Sequence, residues 1–200
     1  MTRIVFATGN KGKVVEIKEI LKDLDVEVVT MKEAGIDIDI EENGTTYEEN
    51  AVIKAEAVMK ASGCLTLADD SGLEIDYLNK EPGIHSARYM GHDTSYDIKN
   101  QSFLDKLEGV PDEKRTARFV CAIAAAFPDG RVETVRATME GQIGYKIAGV
   151  NGFGFDPIFY LPDRGCTSAE ISPEEKNAIS HRGKALRLMR DRLIELGEIK

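Results

Sequence analysis

Arg3-Ile-Val-Phe-Ala-Thr8-Gly-Asn-Lys-Gly-Lys13-Val-Val-Glu-Ile17-Lys-Glu-Ile20-Leu21 decides the fold class. Its first six residues are a short β-branched and aromatic run, as a strand requires. Val14, Ile17, Ile20, Leu21 and Leu24 then recur at helical spacing, so the chain passes from strand through a Gly-Asn loop into a helix. A second strand is expected over 25–30. Gly35-Ile-Asp-Ile-Asp-Ile40 alternates with period two and is read as a third, half-buried strand. Thr45 and Thr46 each precede a glutamate by three residues, the capping-box spacing, and Tyr47, Ala51, Ala55, Val58 and Met59 form an apolar face that ends at Gly63. The spacing predicts a helix over 47–62. Strands interleaved with helices make this an α/β protein.

Further along, Leu65 to Ala68 is expected to be a strand that stops at an Asp69-Asp70-Ser71-Gly72 turn, with alternation resuming at Leu73, Ile75 and Tyr77. Residues 81–88 lack periodicity and read as an ordered loop. A helix is expected over 96–107, and two strands, 117–127 and 132–139, flank the hairpin chemistry of Pro128-Asp-Gly130. A closing helix is expected over 185–196. Two hundred residues suit one domain with a sizeable core, here read as a single domain over 1–200.

Composition narrows the function. A chain 42% hydrophobic and 30% charged, with no apolar run long enough to span a bilayer, reads as a cytoplasmic globular protein without a secretion signal. Cys64, Cys121 and Cys166 are odd in number and far apart, which indicates neither a disulfide framework nor a zinc site. The net charge of −9 argues against a nucleic-acid polymer as partner, because such binding needs many cationic phosphate contacts. A small anionic ligand needs only a local basic pocket.

Four polar clusters could build one. Thr8-Gly9-Asn10-Lys11-Gly12-Lys13 places free backbone N–H groups, a helix start and two lysines where an anion would bind, without the Walker spacing. Asp69-Asp70 pairs two carboxylates whose mutual repulsion is tolerated where a cation or acid-base chemistry uses them. Neighbours on a strand point to opposite faces, so only one of the two faces the site. Glu41 or Glu42 could join it at a magnesium ion, whereas the Asp39-x-Glu41-x-Asn43-Gly44 run fails as an EF-hand because Asn50 stands where the closing glutamate belongs. Gly152-Phe153-Gly154-Phe155-Asp156-Pro157 lacks the third glycine of a dinucleotide fingerprint, and either phenylalanine could stack on a base. Glu175-Lys176 and Ser180-His181-Arg182 add cationic groups.

Taken in order, Thr8-Gly-Asn-x-x-Lys13, Glu41 with Gly44, Glu49-Asn50-Ala-x-x-Lys54, Ala68-Asp-Asp-Ser-Gly-Leu73, Pro82-Gly-x-x-Ser-Ala-Arg88, Phe153-Gly-Phe-Asp-Pro157 and Glu175-Lys-x-x-x-Ser-His-Arg182 resemble the inosine triphosphate pyrophosphatase family. The resemblance spans Ile4 to about Leu193. It implies magnesium-dependent hydrolysis of non-standard purine nucleoside triphosphates (ITP, dITP, XTP) to monophosphate and pyrophosphate. It also implies an elongated mixed β-sheet flanked by helices, two lobes around a central cleft, and a homodimer. By the same resemblance Asp70 is the catalytic base and a metal-associated carboxylate, and Glu41 is the second metal-associated residue. Thr8, Gly9, Asn10, Lys11, Gly12, Lys13, Lys54 and Ser71 resemble the phosphate-binding set. Phe153, Gly154, Phe155, Asp156, Lys176, His181 and Arg182 resemble the residues that hold base and sugar. Two alternatives stay open: a Maf-type pyrophosphatase acting on pyrimidine or modified nucleotides, and a nucleotide sensor without catalysis.

Overall fold

The computed structural model describes all residues, 1–200. The chain folds as two compact units, one made of residues 1–70, 121–137 and 182–200, the other of 71–120 and 138–181. The strands hydrogen-bond in the order β2-β1-β3-β5-β6-β7-β8, with β4 on β3, where β1 is Thr2–Phe6, β2 Val26–Thr30, β3 Leu65–Ile75, β4 Glu81–Pro82, β5 Thr116–Ala126, β6 Val132–Ile143, β7 Phe159–Leu161 and β8 Cys166–Thr167. β1 pairs in parallel with β2 and β3, while β6, β7 and β8 pair antiparallel, so the sheet is mixed.

In the first unit both sheet faces are covered, which explains why its strands read as near-continuous apolar runs. Ile4, Phe6, Leu65, Leu67, Cys121, Ile123 and Phe127 pack on one face with Ile17 and Leu21 after them, against Ala185, Met189 and Leu193. These partners come from α1, Lys11–Ile20, with its C-cap Leu21, and from α5, His181–Glu195. The alternate strand residues Val5, Ala7, Ala68, Ala124 and Ala126 turn to the other face and meet Ala51, Ala55 and Val58 of α2, Tyr47–Ser62. Small side chains on both partners let α2 lie close to the sheet. The α2 bounds follow local signals: the Thr46 hydroxyl accepts from Glu49 N at 3.1 Å, and Gly63 ends the helix at φ +66°, the left-handed conformation that glycine adopts without a Cβ penalty. The β5–β6 turn is closed by Phe127 N donating to Arg131 O and Gly130 N to Phe127 O.

The second unit has its own core. Leu73, Ile75, Phe119, Met139, Ile143 and Phe159 pack against Phe103, Leu104 and Leu107 of α3, Tyr96–Lys106. Gly141 lies under the Phe159 ring so closely that a Cβ there would sit 2.7 Å from it. Arg115 is buried and donates to the carbonyls of Leu107, Ile143 and Gly144, which ties the end of α3 to the end of β6.

Three expectations are corrected. Residues 35–40 form no strand: Ile36 and Ile40 pack against the cluster on the α2 side of the sheet without pairing to a strand, and period-two alternation alone does not supply a ladder. β3 does not stop at Ala68. It runs unbroken through Asp69-Asp70-Ser71-Gly72 to Ile75. The final helix starts at His181 instead of 185, directly after a seven-residue helix, α4, Pro173–Ile179, that the apolar spacing did not reveal.

Candidate active site

In the first unit, the loop after β1 is held by its own side chains. Asn10 N donates to the Thr8 hydroxyl at 3.1 Å, and Asn10 Oδ1 caps α1 by accepting from Gly12 N at 2.9 Å. Lys11 stays exposed, and Gly9 borders open space. Lys13, one turn into the helix, reaches down to Asp69, with Nζ 2.9–3.0 Å from its two carboxylate oxygens.

The pleat of β3 separates the two aspartates. Asp69 is 1% exposed and lies between Lys13 and Arg182, whose Nε stands 3.3 Å from Asp69 Oδ2 and whose other side donates to Glu16 at 2.9 Å. Burial alone would raise the Asp69 pKa, but the cations of Lys13, Arg182 and Lys54 outweigh it and hold the carboxyl well below the usual carboxylate range. Asp70 has the opposite balance. Burial raises its pKa, the proximity of Glu42 and Asp69 adds to that, and Lys54 and a hydrogen bond from Asn50 only partly offset it. Asn50 Nδ2 donates to Asp70 Oδ2 at 3.2 Å. Lys54, one turn further along α2, pairs with Glu42 at 3.0 Å and lies 4.0 Å from Asp70 Oδ1; burial would lower its pKa, but Asp69, Asp70 and Glu42 raise it on balance and keep it cationic.

The carboxylate that the fold brings to Lys54 is thus Glu42, while Glu41 is exposed. No three His, Cys, Asp or Glu side chains are grouped as a preformed metal cage. Magnesium does not need one, since it takes one or two carboxylates and completes its shell with phosphate oxygens and water. Asp70, with its raised pKa, and a glutamate of the 41–42 pair fit that demand.

The second unit holds Ser71, the residue after Asp70 on β3, and the glycine-rich loop. Gly152 has φ +72°, and a Cβ on it would lie 2.3 Å from Asp156 Oδ2, so only glycine fits there. Asp156 is buried with both oxygens engaged: Oδ1 accepts from Ser168 Oγ at 2.7 Å, and Oδ2 accepts from Phe153 N at 2.9 Å and from Lys176 Nζ. The carboxylate is a clamp inside the loop. Lys176 comes from α4, whose start is secured by a reciprocal capping box between Ser172 and Glu175, and its ammonium lies 4.9 Å from the Phe153 ring centroid. Phe153 is 41% exposed, whereas Phe155 is 4% exposed and packs edge-on against Tyr96 and Phe103. Of the two rings, Phe153 is the exposed one and Phe155 belongs to the core. Gly154 O accepts from Asn100 Nδ2 at 3.1 Å.

His181 and Arg182, adjacent in sequence, go to different units. His181 stacks on Phe119 at 4.9 Å, and Arg182 is buried in its ion pairs. Arg182, expected to help hold base and sugar, lies in the first unit with its guanidinium on Asp69 and Glu16. Sequence reasoning gave no role to Glu16, Ser168 or Asn100, and none to Asn50 beyond its place in a motif. Only Asn50 carried a signal, four residues before Lys54 and so on the same helix face.

Comparison with known proteins adds an independent line. A family model described as Ham1 family matches residues 4–192. The chain is 44% identical over 199 residues to a dITP/XTP pyrophosphatase of Clostridium perfringens, covering 96% of this chain and 98% of that protein. It is 49% identical over 187 residues to the protein of the same name from Geobacillus kaustophilus, covering 93% and 91%. Among solved structures, a HAM1 protein from Coxiella burnetii matches with a TM-score of 0.90 at 43% identity, over 98% of this chain and all of that one.

Proposed function

Since the chain belongs to the Ham1 family, we propose that it hydrolyses non-standard purine nucleoside triphosphates, dITP, XTP and ITP, to the monophosphate and pyrophosphate. The observation that carries the reading is the division of labour on β3. One buried aspartate is charge-neutralised by lysine and arginine, and its neighbour is left with a raised pKa beside a second lysine. A carboxylate that holds protons more readily than usual is suited to take one from water. Asp70 would orient and deprotonate the water that attacks the α-phosphorus, and Lys13 and Lys54 would stabilise the departing pyrophosphate by charge-assisted contacts. Magnesium, held by Asp70 with Glu41 or Glu42, would supply charge neutralisation at the phosphate oxygens. Thr8 to Gly12 and Ser71 would offer backbone and hydroxyl donors to the phosphates. In the second unit the exposed Phe153 ring, with Lys176 over it, is suited to stacking on a flat base, and His181 or the loop backbone is suited to reading a 6-oxo group. The working form would be a cytoplasmic homodimer, which sedimentation velocity tests.

Phosphorus NMR of a dITP digestion tests the bond cleaved. Pyrophosphate and dIMP are expected, and orthophosphate with a diphosphate would overturn the assignment of Lys13 and Lys54. Comparison of kcat/KM for dITP, XTP, ITP, GTP and ATP tests the substrate class: a site that hydrogen-bonds the 6-oxo group should disfavour ATP by roughly 10⁴, and equal use of ITP and ATP would remove the purine-sanitising reading.

A further inference from the structure

We propose that Asn50 is a positioning residue that holds the Asp70 carboxylate in one orientation, engaging Oδ2 and reserving Oδ1 for the reacting water. The inference rests on the reading of Asp70 as the water-activating carboxylate. Asn50 is 1% exposed, so both ends of its amide need partners inside the protein. Gly44 N donates to Asn50 Oδ1 at 2.8 Å, and this donation settles which end of the amide is which. The nitrogen is left facing β3, where it donates to Asp70 Oδ2 at 3.2 Å. Asp70 Oδ1 lies 4.0 Å from Lys54 Nζ, beyond hydrogen-bond reach, and Lys54 is itself drawn to Glu42 at 3.0 Å. One oxygen of the carboxylate is therefore hydrogen-bonded, while the other meets Lys54 only at ion-pair distance.

The same amide anchors the acidic loop. A Cβ at Gly44 would meet Asn50 Oδ1 and Glu49 Cβ at 2.7 Å each, so the close approach requires glycine. Gly44 lies two residues after Glu42, so Asn50 links the loop that presents Glu41 and Glu42 to the strand that presents Asp70. A carboxylate freed to rotate would still be present and still charged, but no longer aimed, and misplacement of a reacting group by about 1 Å can cost about 10²-fold in rate.

Two substitutions separate the roles. Asn50→Asp keeps the volume and the acceptor for Gly44 N but, when ionised, has no proton to donate to Asp70, so it is read above the pH at which the paired carboxyls share a proton. Asn50→Ala removes the donor without adding charge. Steady-state kinetics on dITP with saturating magnesium, read where circular dichroism shows folded protein, should give a kcat lower by about 10²-fold in both, with the KM of Asn50→Asp within about threefold of wild type. A kcat within twofold of wild type in either variant, or a raised KM with kcat retained, would overturn the proposal; loss confined to Asn50→Asp would assign the effect to the added charge and overturn it equally. Asp70→Asn, measured alongside, separates the two levels. If Asp70→Asn stays active the reading of Asp70 itself fails, and if it is inactive while the Asn50 variants are active only the positioning role fails.

Discussion

Asp69 and Asp70 are chemically identical neighbours that the fold sends in opposite electrostatic directions, and their amide variants should diverge accordingly. Asp69 is held below its ordinary pKa by Lys13 and Arg182 against the penalty of burial. A depressed carboxylate contributes stability above its unfolded pKa, about 3.9, and loses it as pH falls below. Asp69→Asn should therefore cost about 3 kcal/mol near neutral pH, since it leaves Arg182 and Lys13 under-compensated. That corresponds to a fall in Tm of roughly 6–12 °C. Scanning calorimetry from pH 7 to 3 checks the sign: the gap from wild type should narrow toward pH 3, and a gap that is constant with pH would show that the ion pairs are not its source. Asp70 is raised, so its ionised form opposes folding at neutral pH. In metal-free buffer Asp70→Asn should melt at or above the wild-type temperature, while turnover with magnesium falls by about 100-fold or more. An Asp70→Asn protein that melts well below wild type would contradict the raised pKa.

At the scale of elements, α2 and β3 carry Asn50, Lys54, Asp69 and Asp70 between them, so helix integrity bears on the candidate site. The Thr46 hydroxyl accepts from Glu49 N and begins α2. Thr46→Ala should cost about 1 kcal/mol, a fall in Tm of roughly 2–4 °C. Activity at 25 °C should stay within twofold, because Ala51, Ala55 and Val58 anchor the later turns against the sheet. Thermal melts and initial rates check both parts, and an unchanged Tm would mean that the cap contributes nothing. The bounds of α2 were legible in the sequence because cap and stop are local: Thr46, Glu49 and Gly63 act within a turn of themselves. The continuity of β3 was not, since Asp-Asp-Ser-Gly has turn-like local preferences that flanking strands override.

For the molecule as a whole, the proposed magnesium is expected to serve turnover and to leave folding unaffected. Chelation with EDTA should abolish dITP hydrolysis while shifting Tm by less than about 2 °C, and magnesium with the product dIMP should raise Tm through preferential binding to the folded state. A large loss of Tm on chelation would reveal a structural metal. No helix is long and apolar enough to cross a membrane. Apolar side chains are buried in three clusters, two in the first unit on opposite faces of its strands and one in the second unit.

The sequence by itself determined the α/β class, the strand-loop-helix around Thr8–Lys13, the extent of α2 and the family. Each of these is written either in side chains within a few residues of one another or in motifs whose spacing is preserved along the chain. Tertiary structure alone decided that Asp69 is spent on Lys13 and on Arg182, 113 residues away, that Glu42 rather than Glu41 meets Lys54, that Phe153 is exposed while Phe155 is core, and that Asp156 clamps its own loop. The reason is physical. A residue's backbone preferences are set by its neighbours in sequence, but its burial, its ion-pair partner and its pKa are set by whatever the fold packs against it, and a Glu-Glu, Asp-Asp or Phe-x-Phe pair offers two near-equal choices that only that packing resolves.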